Sequence, residues 1–496
     1  MNRSSGIIMP MYSLPSPYGI GTMGKAAYEF VDFLKASGQK YWQLLPLGPT
    51  DAGDSPYSSP STFAGNPYLI DLDMLIEEGL ILQSEVDKVN WGENEEKVNY
   101  GVMYTHRLNI LRLAFDRFSE KNTQDDYFAF CSENSRWLES YAMYMALKQY
   151  FSMKPWMEWD EDIRMRRSEA LLEYSSKLKS EIDFWYFIQY IFYKQWNLLR
   201  NYAKQQGISF IGDVPIYVAL DSSDVWSEPW FFMLDEKNVP VEVSGVPPDA
   251  FTDEGQLWGN PLYNYSKMQS DGFGWWIRRI EGASKLYDVV RIDHFRGFES
   301  YWAVPYGEKT AKNGHWEKGP GMALVGVLTS WFANLEFIAE DLGICTSEVY
   351  KLLNDSGLPG MKVLQFAFDS SGTSSYLPHC CTFLSCCYTG THDNNTIGGW
   401  VKTLSNEDLE FARDYMHITE DEGWSWGMVR CGMSTSSVLF MMQMQDLLEL
   451  DEKARTNIPG IAEGNWRWRM KKGALTDEIS SRLLSLTKTY RRCSIY

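Results

Sequence analysis

The chain has 496 residues, 44% hydrophobic and 22% charged, an ordinary globular balance that can fill a large core. Its net charge of −19, from 46 basic and 65 acidic residues, disfavours nucleic acid and anionic membranes as partners, since both need a basic face. No run approaches ~18 consecutive apolar residues, so no membrane span is expected.

Residues 1–21 have one positive charge and no long apolar stretch, which fits neither a signal nor a transit peptide. Ile7-Ile8-Met9-Pro10 is a first short apolar run. Residues 26–36 have helical spacing (Tyr28, Val31, Phe33, Leu34), with Gly38 placed to end the helix. Tyr41-Trp42-Gln43-Leu44-Leu45-Pro46-Leu47 is the second strand, and strand–helix–strand order is the unit of a parallel sheet. The following loop, 48–67, is rich in Gly, Pro and Ser and includes Asp54-Ser55-Pro56-Tyr57; a loop of about twenty residues after a strand is usually functional. Residues 50–205 are expected to form a mostly helical insertion, amphipathic near 100–119, 136–150 and 181–203.

The third strand, 208–215, closes on Asp213. Residues 215–285 then read as a loop-rich insertion, dense in Pro, Gly and Trp, of the kind that can hinge as a substrate lid. Val289-Val290-Arg291-Ile292-Asp293-His294 opens the fourth strand run, 289–298, and a helix is expected over 323–333. Further strand runs lie at 337–343, 362–368, 386–394 and 436–444. Eight strands with helical or irregular segments between them predict an α/β chain: one (β/α)8 barrel over 1–496, with no C-terminal β-sandwich.

Four of the eight cysteines, Cys380, Cys381, Cys386 and Cys387, cluster near His379. Adjacent Cys-Cys pairs fit tetrahedral zinc spacing poorly, and buried apolar thiols on a strand are the favoured reading, with a reducing cytoplasm as the expected compartment. Of the 20 Trp, 29 Tyr and 25 Phe, most belong in a core, and some at a cleft could stack on the apolar faces of sugar rings.

In a barrel, Asp213, Asp293, Glu340 and Asp393 all fall at C-terminal strand ends, the face where barrel sites form. The period of two places Arg291 and Asp293 on one face, which over three residues is equally a structural ion pair. Convergence of the other acids leaves two chemistries: divalent-metal binding by the Asp/His set, or glycosidic-bond cleavage by paired carboxylates. Arg291 already supplies a cation where a metal would sit beside Asp293. His294 and His392 read either as groups that orient others or as ligands of hydroxyls. Asp341 should point away from Glu340 and be structural, and Asp213 could be an ordering acid beneath the site.

Gly212-Asp213-Val214-Pro215-Ile216-Tyr217, the run from Arg291 to Phe298, Ala339-Glu340-Asp341-Leu342-Gly343 and Thr391-His392-Asp393-Asn394 resemble the four signature regions of amylomaltases, the 4-α-glucanotransferases or disproportionating enzymes of the α-amylase superfamily. The resemblance extends from Ser13-Leu14-Pro15-Ser16 and Trp42-Gln43-Leu44-Leu45-Pro46-Leu47-Gly48-Pro49 through Asn457-Ile458-Pro459-Gly460 to Gly464-Asn465-Trp466-Arg467-Trp468-Arg469. It implies Asp293 as nucleophile, Glu340 as general acid/base and Asp393 as transition-state stabiliser. It further implies substrate contacts from Arg291, His294, His392, Asp213, Tyr57 and Asn457, and from a mobile loop carrying Asp249, Phe251, Gln256 and Trp258. Asn395 stands where many relatives have an acid, and Ile461 follows Pro-Gly where threonine is common.

The implied activity moves α-1,4-glucan segments between maltooligosaccharides or starch-type glucans by retaining double displacement, releasing glucose or short maltosaccharides. No cofactor or metal is required. The retaining mechanism implies a separation of ~5–5.5 Å between the Asp293 and Glu340 carboxyls. The rival readings are a retaining α-glucan hydrolase with the same trio, a metal-dependent hydrolase and a catalytically silent glucan-binding protein.

Overall fold

The computed structural model describes the whole chain apart from residues 52, 122–123, 249–252, 344, 462 and 494–496. Among the described residues there are twelve strands: β1 (Ser4–Ile8), β2 (Tyr41–Gln43), β3 (Ser209–Val214), β4 (Glu242–Val246), β5 (Gln256–Pro261), β6 (Val289–Ile292), β7 (Ser300–Pro305), β8 (His315–Lys318), β9 (Glu336–Ala339), β10 (Gly360–Val363), β11 (Ser385–Tyr388) and β12 (Leu439–Gln443).

Eight of these form one sheet in the order β10-β11-β12-β1-β2-β3-β6-β9, with every pair parallel. The outer strands approach each other where the Ala339 N–H donates to the Pro359 carbonyl at 3.0 Å, so the sheet curls into an almost closed (β/α)8 barrel. The period of two sorts its side chains. Ile8, Tyr41, Ile211, Val289, Ile338, Met361, Val363, Cys386, Tyr388, Leu439 and Met441 fill the interior as one buried cluster. Trp42, Phe210, Val290, Phe337, Cys387, Phe440 and Met442 face outward into the larger core beneath the helices. Cys386 and Cys387 are therefore buried on opposite faces of β11 as apolar thiols. Cys380 is exposed in the 3-10 turn Pro378–Cys380 and Cys381, though buried, ends that turn, so the expectation of buried strand thiols holds for only two of the four; all eight cysteines are free.

The helix Lys25–Ala36 forms where the sequence places it and buries Ala27, Phe30, Val31, Phe33 and Leu34. The helices Ser135–Tyr150 and Lys179–Gln205 pack together in the stretch between β2 and β3. On β3, Gly212 is required: a Cβ there would lie 2.0 Å from the Tyr287 ring, which crosses the strand.

Two expectations need correction. The sixth strand is Gly360–Val363; beyond it Leu364–Phe366 coils into a 3-10 turn, and Phe366 is exposed, so the alternating pattern there is not a strand. Within the expected loop-rich stretch, Glu242–Val246 and Gln256–Pro261 are strands: β4 and β5 pair antiparallel, and with β7 and β8 make a second sheet ordered β5-β4-β7-β8. All four residues of β8 are exposed; it is held by backbone pairing to β7 and by Trp316, whose ring meets that of Trp302 edge-on at 5.2 Å. Among the described residues no helix is long and apolar enough to cross a membrane.

Candidate active site

The proposed site lies at the C-terminal ends of β3, β6, β9 and β11. On β6 the inward parity that buries Val289 also turns Arg291 inward, and on β3 the parity of Ile211 turns Asp213 inward, in direct register with Arg291. The Arg291 Nη1 donates to both Asp213 carboxylate oxygens at 2.6 Å and to Asp293 Oδ1 at 2.9 Å. The arginine thus grips Asp213 more closely than Asp293. Burial works against the guanidinium charge, yet Asp213 and then Asp293 hold it protonated well above its ordinary range. The Asp213 side chain is fully buried, while that of Asp293 is 29% exposed and faces the cleft.

Asp293 is the first residue past β6, and its N–H donates to the Val214 carbonyl at 3.0 Å. The chain then turns sharply: His294 adopts φ 50°, a left-handed conformation that is costly for a residue with a side chain and recurs at functional sites. Burial pushes the His294 imidazole down to about 4, so it is neutral at physiological pH and can both donate and accept.

Glu340 follows β9. Its Oε2 accepts the His294 N–H at 2.8 Å and its Oε1 the Leu342 N–H at 2.6 Å. Burial pushes this carboxyl up to about 7, with Asp293 adding to the rise and Arg291 opposing it. A carboxylic acid half protonated near neutrality can donate a proton and later take one back. Asp341 points the other way and accepts the Met361 N–H at 2.6 Å, a structural tie to β10.

Asp393 sits beyond β11 with its side chain 47% exposed. His392 lies beside it, Nε2 to Oδ1 3.4 Å, and stacks on Tyr57 with ring centroids 4.8 Å apart and planes at 21°. The Tyr57 hydroxyl donates to Asp213 at 2.7 Å and meets His392 Nδ1 at 3.2 Å, and burial raises that phenol well above its usual range. Trp466 joins the pair at 5.8 Å from Tyr57 and 5.9 Å from His392, giving an aromatic wall along one side. On the other side the Trp258 ring meets the His294 ring edge-on at 4.8 Å.

The structure alters the reading of several expected residues. Gln256 and Trp258 lie on β5, not on a loop, and the Trp258 Nε1–H donates to the Gln256 side chain at 3.2 Å. Asn457 reaches the site through Asp393: its Nδ2 donates to Asp393 Oδ1 at 2.6 Å. Asp249 and Phe251 lie outside the described residues. Arg455, which no motif flagged, donates to the Asp393 carbonyl at 2.5 Å and to the Asn457 carbonyl at 2.7 Å. Among the described residues no group of three or more His, Cys, Asp or Glu converges as metal ligands would.

The family model described as 4-alpha-glucanotransferase matches residues 9–476. The chain is 47% identical over 488 residues to a 4-alpha-glucanotransferase of Clostridium butyricum, covering 98% of this chain and 100% of that one. The chain belongs to the 4-alpha-glucanotransferase family. To the enzyme of that name from Thermus thermophilus it is 43% identical over 500 residues, covering 99% of each. Among solved structures, the amylomaltase from Streptococcus agalactiae in complex with acarbose superposes with a TM-score of 0.97 at 41% identity, over 99% of this chain and 100% of that one. A Corynebacterium glutamicum amylomaltase at 18% identity and TM-score 0.79 shares the fold. In this 4-alpha-glucanotransferase family member the matched span takes in all four acids of the barrel mouth.

Proposed function

We propose that the protein is a 4-alpha-glucanotransferase that passes α-1,4-glucan segments from a donor maltooligosaccharide or starch-type chain to an acceptor sugar by retaining double displacement. Asp293 attacks the anomeric carbon, and Glu340, protonated, gives its proton to the leaving glycosidic oxygen. Glu340 then takes the proton of the acceptor 4-hydroxyl, which displaces Asp293 with a second inversion. Asp393 binds hydroxyls of the sugar at the reacting centre and stabilises its distorted ring. His294, neutral, and His392 serve as hydroxyl ligands, and Tyr57 and Trp258 offer ring faces.

The observation that carries this reading is the pair of unlike carboxyls. Asp293 is ion-paired and faces the cleft, whereas Glu340 is buried and pushed up to about 7. One is equipped to attack and the other to hold a proton. The eight free thiols accord with a cytoplasmic location, which forms part of the proposal.

Incubation with maltotriose tests the reading. Transfer yields glucose and longer maltosaccharides with no net gain of reducing ends, and Asp293→Ala yields neither. A gain of one reducing end per bond cleaved would establish the hydrolase instead. An Asp293→Ala protein that still turns over maltotriose would remove the assigned nucleophile.

A further inference from the structure

Behind the site lies a carboxyl that the mechanism does not use. Asp446 is 1% exposed, in the short helix Met444–Leu447 that follows β12. The Thr389 hydroxyl donates to its Oδ2 at 2.7 Å, and the Ile397 N–H donates to its Oδ1 at 2.8 Å. Thr389 directly follows β11, and Ile397 opens the helix Ile397–Trp400. The two hydrogen bonds therefore hold both ends of the segment 389–397, which carries His392 and Asp393.

Asp446 forms no ion pair among the described residues, and burial pushes its carboxyl up to about 7. A carboxyl kept in the core without a cation is costly, and an apolar residue would fill the space more cheaply. What an apolar residue would not do is bind one backbone and one side-chain group eight residues apart.

The middle of the segment is fixed as tightly. The side-chain amides of Gln365 and Gln443 both donate to the Asn395 carbonyl, at 2.7 and 3.1 Å. At Gly390 a Cβ would lie 2.7 and 2.8 Å from those same amide nitrogens, so the backbone is pressed against them. The half-exposed Asp393 side chain is held at Oδ1 by Asn457 and its carbonyl by Arg455, so its placement follows the backbone of 389–397 together with these two contacts.

We propose that Asp446 is a positioning residue for catalysis: by tying Thr389 to Ile397 it sets where Asp393 stands relative to Asp293 and Glu340. The inference rests on the assignment of Asp393 as the ring stabiliser. A misplacement of about 1 Å is enough to cost on the order of 100-fold in rate, while ground-state binding through the aromatic walls survives.

Three variants separate the effects, assayed for kcat and KM on maltotriose, acarbose inhibition and Tm. Asp446→Ala removes both bonds and should lower kcat about 100-fold with KM within about threefold, and weaken acarbose in parallel. Thr389→Val removes one bond at nearly constant volume and should lower kcat about fivefold to tenfold. Asp446→Asn can still accept from Ile397 and donate to Thr389, and should keep kcat within about threefold of the parent. As a reference, Gln195→Leu breaks a similar two-bond tie, to the backbone of Asp71 among the helices, and should lower Tm with kcat unchanged. The proposal is overturned if Asp446→Ala and Thr389→Val lower Tm as Gln195→Leu does and leave kcat and acarbose inhibition untouched, or if a folded Asp446→Asn is as slow as Asp446→Ala. Should Asp446→Ala not fold, Thr389→Val decides alone. Asp393→Asn distinguishes the two layers. Full activity in that variant removes the role of Asp393 itself and the proposal with it, whereas its loss beside an active Asp446→Ala removes only the tie.

Discussion

Glu340 is registered against the residue that follows Asp293: its Oε2 accepts the His294 N–H at 2.8 Å, and its own carbonyl accepts the Phe295 N–H at 3.0 Å. The strands β6 and β9 are paired up to Ile292 and Ala339, so the two carboxyl-bearing residues leave adjacent strands at the same level. Any shift of one strand against the other would separate acid from nucleophile.

That placement makes the rate depend on pH through Glu340. Burial raises its carboxyl to about 7, and the first step needs it protonated, so kcat/KM should fall as pH rises through about 7, tenfold per unit above it. Glu340→Gln should lose transfer by about 10²- to 10⁴-fold and show no such limb. A pH profile in which the limb persists in Glu340→Gln would assign it to another group.

Arg291→Met should destabilise the fold as well as the chemistry. It leaves the fully buried Asp213 side chain without its cation, which costs about 3–5 kcal/mol by precedent for broken buried pairs. The double variant Arg291→Met/Asp213→Asn removes the stranded charge and should recover part of that loss in urea unfolding. Equal stability of the single and double variants would contradict this account.

Asn457→Ala tests the contact that Asn457 makes with Asp393. Loss of the 2.6 Å bond to Asp393, a hydrogen bond to a charged group, should cost about 1.5–3 kcal/mol, or roughly tenfold to 100-fold in kcat/KM for maltotriose. If Asn457 only touched sugar, KM would rise with kcat unchanged.

Trp258→Ala should shift the balance from transfer towards hydrolysis. The ring stands edge-on to His294 at the cleft and is 37% exposed, available as a platform for an acceptor. Aromatic contacts of this kind contribute about 0.5–1.5 kcal/mol, so the hydrolysed fraction should rise by up to roughly tenfold. Reducing-end gain against glucose release measures it, and an unchanged ratio would place the acceptor elsewhere.

Local pattern carried much of this molecule into the sequence. Runs such as Val289-Val290-Arg291-Ile292 and Ser209-Phe210-Ile211-Gly212-Asp213 are strands because alternate residues must be buried on both faces, and the acids at their ends were visible as breaks in apolar runs. The four signature segments named the family and proposed the roles of Asp293, Glu340 and Asp393. The second sheet was not legible, because β8 is wholly exposed and β5 only partly buried, so neither displays the apolar alternation by which strands are recognised.

What the sequence determined by itself was the order of strands, the barrel class and the acids at its mouth, since these follow from periodicity and local composition. Only the tertiary structure decided the polar partners distant in the chain, whereas the Arg291–Asp293 pair followed from the strand period. Arg291 pairs most closely with Asp213, 78 residues before it, Asn457 reaches Asp393 across 64, and Asp446 joins Thr389 to Ile397 from 57 and 49 residues away. Such choices leave no periodic trace: a buried polar group takes whichever partner barrel closure brings within about 3 Å, and that distance exists only once the chain has folded.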